Sequence, residues 1–260
     1  MPAVPDRPAG PGKVASRARL LRLFLAEKRD PEPFSQALAE RSVAELAFPV
    51  DGALVLDLGC GSGAFSRALD AAGATAVAVD MEMADLAAAR ARPRRAAVAD
   101  ARRLPFSEAA FDGVVCSNVL EHTPSAGVLF AEIERVLRPG GWAWVSWTNW
   151  YSPWGGHEIV PLHYLGPRLG LAAWRRLKGE PRKNVPFVGL WPTHVGRTLA
   201  MVRDRPGLRL LDARPRYYPS QRWIVRVPVL REVATWNCLL LLERTDGPAP
   251  SGRSSVVPGR

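Results

Sequence analysis

The sequence has few features of a secreted or membrane protein. It contains only three cysteines in 260 residues, far apart and in no C-x-x-C pair, which argues against a disulfide scaffold and a structural zinc site. No stretch approaches the roughly 18–20 apolar residues that span a bilayer. The apolar run 20–26 is short, contains Arg22 and leads into charged residues, unlike a signal peptide. We therefore expect a cytoplasmic protein with reduced, mostly buried cysteines.

Lysine is scarce as well, since it accounts for only four of the 35 basic residues. A net charge of +10 is compatible with a nucleic-acid partner or an anionic membrane surface. However, the arginines are scattered, and their abundance alongside alanine indicates a coding bias. We therefore do not expect a nucleic-acid partner. The basic amphipathic segment 17–28 leaves peripheral membrane contact open, beside the alternative of a solvated helix face.

The length and apolar content suit one domain, which we place at residues 13–245. The Pro- and Gly-rich tails 1–12 and 246–260 are expected to be disordered. Alternating strand and helix patterns predict an α/β, Rossmann-like fold with a mostly parallel seven-stranded sheet covered by helices on both faces. The predicted strands are 53–58, 75–80, 96–100, 111–117, 142–148, 208–218 and 237–244. The predicted helices are 17–28, 33–48, 64–72, a segment ending at Arg92, 125–137 and 193–203, the last with Thr193 as its cap.

A glycine-rich turn follows the first predicted strand, in the segment VLDLGCGSG. Gly59, Gly61 and Gly63 allow unusual backbone angles and a close approach of a ligand to the main chain. Such a turn alone is a weak signal, because dinucleotide-binding folds share it. Asp57 precedes the first glycine, and a carboxylate there favours a ligand with an ammonium group over a phosphate.

Further acidic residues end the next two predicted strands. Asp80 is placed to accept hydrogen bonds from ribose hydroxyls. Asp100 is placed to take an adenine amino group, with the main-chain N–H of Ala101 reaching the ring. Either Asp57 or Asp80 alone could instead cap the turn or helix that follows it. Their occurrence together with the glycines favours a ligand site.

Together these segments resemble the class I S-adenosylmethionine (SAM) dependent methyltransferases, specifically the type 11 group. The resemblance covers residues 50–148, including FDGVVCSN at 111–118 and VLRPGGW at 136–142. It implies SAM as the methyl donor, with Asp57 at the methionyl end, Met81 on the adenine and residues 117–119 over the sulfonium. The implied cofactor-binding residues are Asp57, Gly59, Cys60, Gly61, Gly63, Asp80, Met81, Asp100, Ala101, Ser117, Asn118 and Val119.

A catalytic base is sought just after the fourth strand, beside the expected methyl group. His122 is our candidate, and its alternative role is to hold a loop. The segment is similar to the Glu-x-x-Glu-His pattern of metal-assisted catechol-type methyltransferases, but Asn118 stands where the first Glu would be. Since hard cations prefer carboxylate oxygens, we predict no metal site. The motifs of DNA methyltransferases are also absent from the sequence.

Residues 149–192 form an insertion after the fifth strand that we expect to act as a substrate-side lid. Its aromatic residues suit an apolar or ring-shaped acceptor, although they could equally pack the insertion onto the sheet. A similar segment occurs in actinobacterial methyltransferases. The candidate substrate residues are Trp150, Trp154, His157, Glu158, His163 and Tyr164.

The sequence thus predicts a SAM-dependent methyltransferase that acts on a small-molecule or lipid acceptor, with oxygen as the expected methylated atom. We expect a role in specialised metabolism or envelope building. One alternative is an RNA or protein methyltransferase. It would be supported if the basic residues of 175–183 formed a patch beside the site. The other alternative is a non-catalytic SAM-binding protein, which the intact acidic and glycine residues argue against.

Overall fold

The computed structural model describes residues 17–26, 29–82 and 95–245. Seven strands form one sheet in the order β3-β2-β1-β4-β5-β7-β6, which confirms the predicted Rossmann-like architecture. The strands are β1 (Leu54–Leu58), β2 (Thr75–Asp80), β3 (Ala96–Val98), β4 (Phe111–Ser117), β5 (Leu137–Thr148), β6 (Leu208–Pro215) and β7 (Asn237–Arg244).

Helices cover the sheet, and short 3-10 turns lie in the connections. No helix in the described ranges combines the length and apolar composition needed to cross a bilayer. The α-helices are α1 (Arg17–Ala26), α2 (Glu32–Ala44), α3 (Ala64–Ala71), α4 (Ala126–Val136), α5 (Pro167–Lys178), α6 (Val195–Arg203) and α7 (Leu230–Ala234). The 3-10 turns are Leu120–His122, His157–Ile159, Leu162–Leu165 and Pro219–Arg226.

Strands β1 to β5 run parallel, and β7 is antiparallel to both β5 and β6. The strand order reverses between β1 and β4, where the connections leave the sheet in opposite directions. Such a switch point opens a crevice at the carboxyl ends of the strands. The ends of β1, β2 and β4 therefore meet at one edge of the sheet.

Two apolar cores hold the helices against the two faces of the sheet. One contains the buried side chains of α4 and α6. The other contains those of α2 and α3, where Phe48 stacks on Trp142 with ring centroids 5.2 Å apart. All three cysteines are free and buried, as the sequence predicted.

Several local predictions differ from the structure. The helix predicted at 33–48 ends at Ala44, and the strands predicted at 96–100 and 208–218 end at Val98 and Pro215. Helix α4 ends as expected before the Pro-Gly-Gly turn, but β5 already begins at Leu137, with a register shift against β4 that accommodates the turn. Thr193 is not the cap of α6, because the helix starts at Val195 and the Thr193 hydroxyl donates to the Trp191 carbonyl. The predicted disordered tails 1–12 and 246–260, and nearly all of the predicted helix ending at Arg92, lie outside the described residues.

Candidate active site

The glycine turn after β1 is held against the end of β2. The amides of Gly59 and Cys60 donate to the Val79 carbonyl at 2.8 and 3.1 Å, and Gly59 has a φ of 70°. A Cβ at Gly59 would lie 2.2 Å from Cγ2 of Val119, at the end of β4. Only glycine fits this close approach of two strand ends, which leaves exposed main chain lining a cradle.

Asp57 lies beneath this turn and is 1% exposed. Its Oδ2 accepts hydrogen bonds from the Ser66 amide at 2.8 Å and the Ser66 hydroxyl at 2.6 Å. Burial raises the pKa of Asp57 to about 6, although the two hydrogen bonds oppose this shift. The carboxylate thus fixes the first turn of α3, the alternative that the sequence left open, and its contact with the methionyl end stays a prediction.

Asp80 ties the glycine turn to the loop after β2. Its Oδ2 accepts from the Gly61 amide at 2.8 Å, and its Oδ1 accepts from the Glu82 amide at 3.0 Å. The next side chain, Met81, is 65% exposed at the same edge. These positions fit a nucleoside, since a carboxylate at the strand end faces the crevice and an apolar side chain stands beside it.

Asp100 follows β3, next to Ala101, and forms an ion pair with Arg102. The distance between Arg102 Nη2 and Asp100 Oδ2 is 2.6 Å, and the Arg102 amide also donates to Oδ1. These interactions lower the pKa of Asp100. Its carboxylate therefore already has a cationic partner, and a bond to an adenine amino group would have to share it.

The end of β4 carries three predicted cofactor residues in close contact with neighbouring strands. Asn118 adopts a left-handed φ of 56°, and its Oδ1 accepts from Nδ2 of Asn237 at 2.8 Å. The Ser117 hydroxyl accepts from Nη1 of Arg216 at 3.1 Å. Val119 packs against Gly59 as described above. The segment is thus held rigidly at the mouth of the crevice.

His122 lies between the β4 edge and the insertion. Its Nδ1 is 2.8 Å from the Gly189 carbonyl, and its ring centroid is 5.2 Å from that of His157. Since a carbonyl only accepts, Nδ1 must carry the hydrogen, which leaves the lone pair of a neutral ring on Nε2. The imidazole therefore presents a fixed proton acceptor.

Glu121 completes a cluster with these two histidines. It is buried, with Oε1 accepting from the Thr148 amide at 2.9 Å while Oε2 has no hydrogen-bond partner. Burial raises the pKa of Glu121, and burial lowers the pKa of His157 to about 4. One ligand atom from each of Glu121, His122 and His157 lies within 4.8 Å of the others, a spacing that could hold a cation or relay a proton.

The predicted substrate residues of the insertion lie in different environments. Trp150 and His163 are buried inside it, Trp150 in an apolar cluster and His163 with Nε2 at 3.0 Å from the Ser152 carbonyl, while Trp150 Nε1 and His163 Nδ1 have no hydrogen-bond partner. Trp154 and Tyr164 are 44% and 50% exposed. Glu158 instead accepts the amides of Arg182 and Lys183 at 2.9 and 2.8 Å. Of the six predicted residues, the structure brings His157 into contact with the predicted catalytic histidine.

Sequence reasoning missed Arg216, Trp236 and the role of Glu121. Arg216 follows β6, far along the chain from every motif, and no local pattern marks it. Trp236 contacts Trp154 with ring centroids 5.2 Å apart, which only the folded chain reveals. Glu121 was visible next to His122, but its burial was not.

Comparisons with known proteins identify the family and the fold. A model of the methyltransferase domain family matches residues 56–145. The chain is 36% identical over 260 residues to an uncharacterized methyltransferase of Mycobacterium marinum, covering 92% of this chain and 98% of that protein. A methyltransferase of Mycobacterium tuberculosis is 34% identical over 260 residues, covering 92% and 99%.

Solved structures show the same fold. A SAM-dependent methyltransferase of Mesorhizobium loti aligns with a TM-score of 0.56 at 24% identity, covering 79% of this chain and 98% of that one. One from Methanosarcina mazei aligns with a TM-score of 0.51 at 17% identity, covering 75% and 93%.

The fold and these matches define a SAM-dependent methyltransferase, an enzyme whose cofactor is S-adenosylmethionine. More closely, the chain belongs to the methyltransferase family that includes the mycobacterial proteins.

Proposed function

We propose that the protein transfers the methyl group of SAM to an oxygen atom of a small-molecule or lipid acceptor held under residues 149–192. His122 would be the general base. The observation that carries this proposal is the hydrogen bond between His122 Nδ1 and the Gly189 carbonyl. Because the carbonyl only accepts, Nδ1 carries the hydrogen and Nε2 of the neutral ring is the proton acceptor. A cytoplasmic location and a role in specialised metabolism or envelope building belong to the same proposal.

The cofactor contacts implied by the motifs are part of the proposal. The cradle at Gly59 would receive the methionyl end, Asp80 the ribose, and Met81 with residues 100–101 the adenine. The open space at Gly61 supports this placement, since a Cβ added there would meet nothing within 4 Å and a ligand can approach the main chain. Titrating SAM into the wild type and into Asp80→Ala and Asp57→Ala variants tests it, and unchanged affinity in both folded variants would contradict it.

When bound, SAM supplies a methyl group already activated by its sulfonium. The chain therefore needs mainly to align the acceptor and exclude water. In the proposed step the acceptor O–CH₃ bond forms as the S–CH₃ bond breaks, S-adenosylhomocysteine leaves, and the hydroxyl proton passes to Nε2 of His122. A base placed in this way typically contributes about 10²- to 10⁴-fold to the rate.

An apolar acceptor is supported by a chain of aromatic rings beside the cluster. Trp154 of the insertion contacts Phe24 of α1 at 5.7 Å and Trp236 at 5.2 Å, and Trp236 contacts Tyr218 at 5.8 Å between centroids. Trp154, Trp236 and the neighbouring Tyr217 remain partly exposed. Such partly open aromatic surface suits a ring or an acyl chain.

The test of His122 is an acceptor screen with methyl-labelled SAM on the wild type and on His122→Asn. Asparagine can still donate to the Gly189 carbonyl but offers no basic nitrogen, so it separates loop holding from catalysis. We expect turnover of hydroxyl acceptors to fall by at least 10²-fold with SAM affinity unchanged. Full turnover by His122→Asn would overturn the base assignment.

The alternative of an RNA or protein acceptor has one observation in its favour. Arg182 and Lys183 are anchored on Glu158, next to His157, and their side chains are exposed. Arg175 of the same basic segment is paired with Glu180 at 2.8 Å, however, which reduces its free charge. Including RNA and a basic-protein mixture in the screen decides between the two classes of acceptor.

A further inference from the structure

Arg216 is a buried guanidinium with no ion pair in the described part of the chain; the buried Glu121 attracts it electrostatically but accepts its hydrogen bond from Thr148 instead. Arg216 is 9% exposed, and its hydrogen bonds within the described part of the chain go only to hydroxyl oxygens. The other deeply buried arginine, Arg244, pairs with Glu108 at 3.1 Å and also donates to main-chain carbonyls. Burying an unpaired charge costs several kcal/mol. The contrast indicates that Arg216 meets its partner in another molecule.

The hydrogen bonds of Arg216 leave one buried edge of the guanidinium without a partner. Nη1 donates to Ser117 at 3.1 Å and to Ser146 at 3.2 Å, and Nη2 donates to Ser42 at 3.4 Å. Nε has no partner. The N–H of Nε and the second N–H of Nη2 point in the same direction, a fork that matches the two oxygens of a carboxylate.

The surroundings hold this fork in place. The guanidinium carbon lies 4.7 Å from the Trp144 ring centroid and 5.7 Å from that of Phe65. A cavity of about 30 Å³ adjoins Arg216 and Ser42, which is room for one small group or one water molecule. Glu45 also lines it, but its carboxylate is paired with Arg41 at 2.8 Å, and Arg214 adds a second guanidinium to the lining. The site is therefore rigid and small, as an anion site needs to be.

Arg216 also lies at the reacting end of the crevice. Its partner Ser117 ends β4 and is followed by Asn118 and Val119, and Val119 contacts the glycine turn at Gly59. We propose that Arg216, oriented by the hydroxyls of Ser117 and Ser146 on Nη1, binds a carboxylate in the active site through Nε and Nη2. Two sources supply that group: the methionyl carboxylate of SAM, or an acidic group of the acceptor. The second source rests on the proposed function, whereas the first does not.

The experiment compares SAM with decarboxylated SAM, which keeps the ammonium group but lacks the carboxylate. Both are titrated calorimetrically into the wild type, Arg216→Met and Arg216→Lys. If the cofactor is the source, the wild type prefers SAM by about ten- to hundredfold, the usual effect of a charge-assisted fork, and Arg216→Met abolishes this preference. Arg216→Lys keeps the charge without the fork and should retain part of it.

If all three proteins prefer SAM over decarboxylated SAM to the same extent, a second titration tests the acceptor as the source of the carboxylate. Octanoate, a carboxylate with an apolar chain, is titrated into protein saturated with S-adenosylhomocysteine. Binding by the wild type that is lost in Arg216→Met assigns the carboxylate to the acceptor. The octanoate titration measures binding without turnover, so its result does not depend on which atom is methylated.

A matched control is Arg209→Met in β6, because Arg209 is exposed, is paired with Glu243 and does not line the cavity beside Arg216. It should leave both comparisons unchanged. Thermal unfolding of each variant identifies misfolding, and Arg216→Lys carries the test if Arg216→Met does not fold. If Arg216 affects neither the SAM preference nor octanoate binding, its fork binds only water and the proposal is overturned.

Discussion

The glycine turn after β1 and the insertion 149–192 are built by different means. The turn is shaped by main-chain bonds and left-handed glycines, with Gly59 in contact with Val119. The insertion is shaped by aromatic packing around Trp150 and by single side chains such as Glu158 that accept main-chain amides. We expect the main-chain turn to accept one ligand shape, whereas exposed side chains of the insertion can be substituted without changing its backbone.

The largest effect is expected at the turn, from Gly59→Ala. The new Cβ would lie 2.2 Å from Val119 Cγ2 and force the two strand ends apart, so SAM affinity should fall at least about 100-fold. Gly52→Ala is the matched control, because Gly52 has nearly the same φ, 73°, with nothing within 4 Å of its Cβ. It should cost only about 1–2 kcal/mol of backbone strain. Calorimetric SAM titration measures both, and equal losses would show that strain, and not the contact, decides.

The second prediction concerns pH, because Asp57 and His157 titrate in opposite senses. The native pKa of Asp57, about 6, is above its ordinary 3.8, so the native state holds an extra proton between these values and loses stability as pH rises. The native pKa of His157, about 4, is below its ordinary 6.5, so the unfolded state holds the extra proton and stability rises with pH. Each effect is roughly 3 kcal/mol and they largely cancel between pH 4 and 6.

Replacing either Asp57 or His157 should therefore reveal how the other changes the free energy of unfolding with pH. We expect the stability of His157→Asn to fall from pH 4.5 to 6, and that of Asp57→Asn to rise. Asparagine accepts the left-handed backbone of residue 157 and can still accept the Ser66 bonds at residue 57. Urea unfolding at several pH values measures both slopes. Profiles parallel to that of the wild type would contradict the two pKa shifts.

A smaller effect is expected from Glu158→Gln in the insertion. The amide side chain keeps one acceptor oxygen for the two amides at 182 and 183 but loses the charge that strengthens both bonds. Since the contact is solvent-exposed, we expect KM for an acceptor to rise about two- to fivefold with SAM affinity unchanged. Steady-state kinetics with the acceptor from the screen measures it. A loss of SAM binding would mean that the insertion also shapes the cofactor side.

The smallest effect is expected from removing metal ions. We propose a metal-independent reaction, because Asn118, in the place of a first carboxylate ligand, offers no charge and its Oδ1 already accepts from Asn237. Dialysis against a chelator should leave the methyl-transfer rate unchanged. A lower rate that manganese or zinc restores would show that the cluster of Glu121 and the two histidines binds a required cation.

Much of the cofactor half could be predicted from the sequence because its determinants are local. A strand, a glycine turn and a terminal acid fall within a few residues, and β1, β2 and β4 matched their predicted ranges closely. The acceptor half depends on contacts between distant segments, such as Trp154 with Trp236 or Arg216 with Ser117. A pattern read along the chain does not contain those pairs. The failed Thr193 cap shows the same limit, since its hydroxyl found a nearer carbonyl.

The hydrogen bond between the Gly189 carbonyl and His122 links the conformation of the insertion to the tautomer of the histidine. The insertion supplies the carbonyl that selects one of the two neutral forms of the imidazole. If the insertion moves away, the proton can sit on either nitrogen, and only part of the molecules present a lone pair toward the crevice. A substitution that shifts the insertion would thereby alter the proposed base without any change at His122 itself.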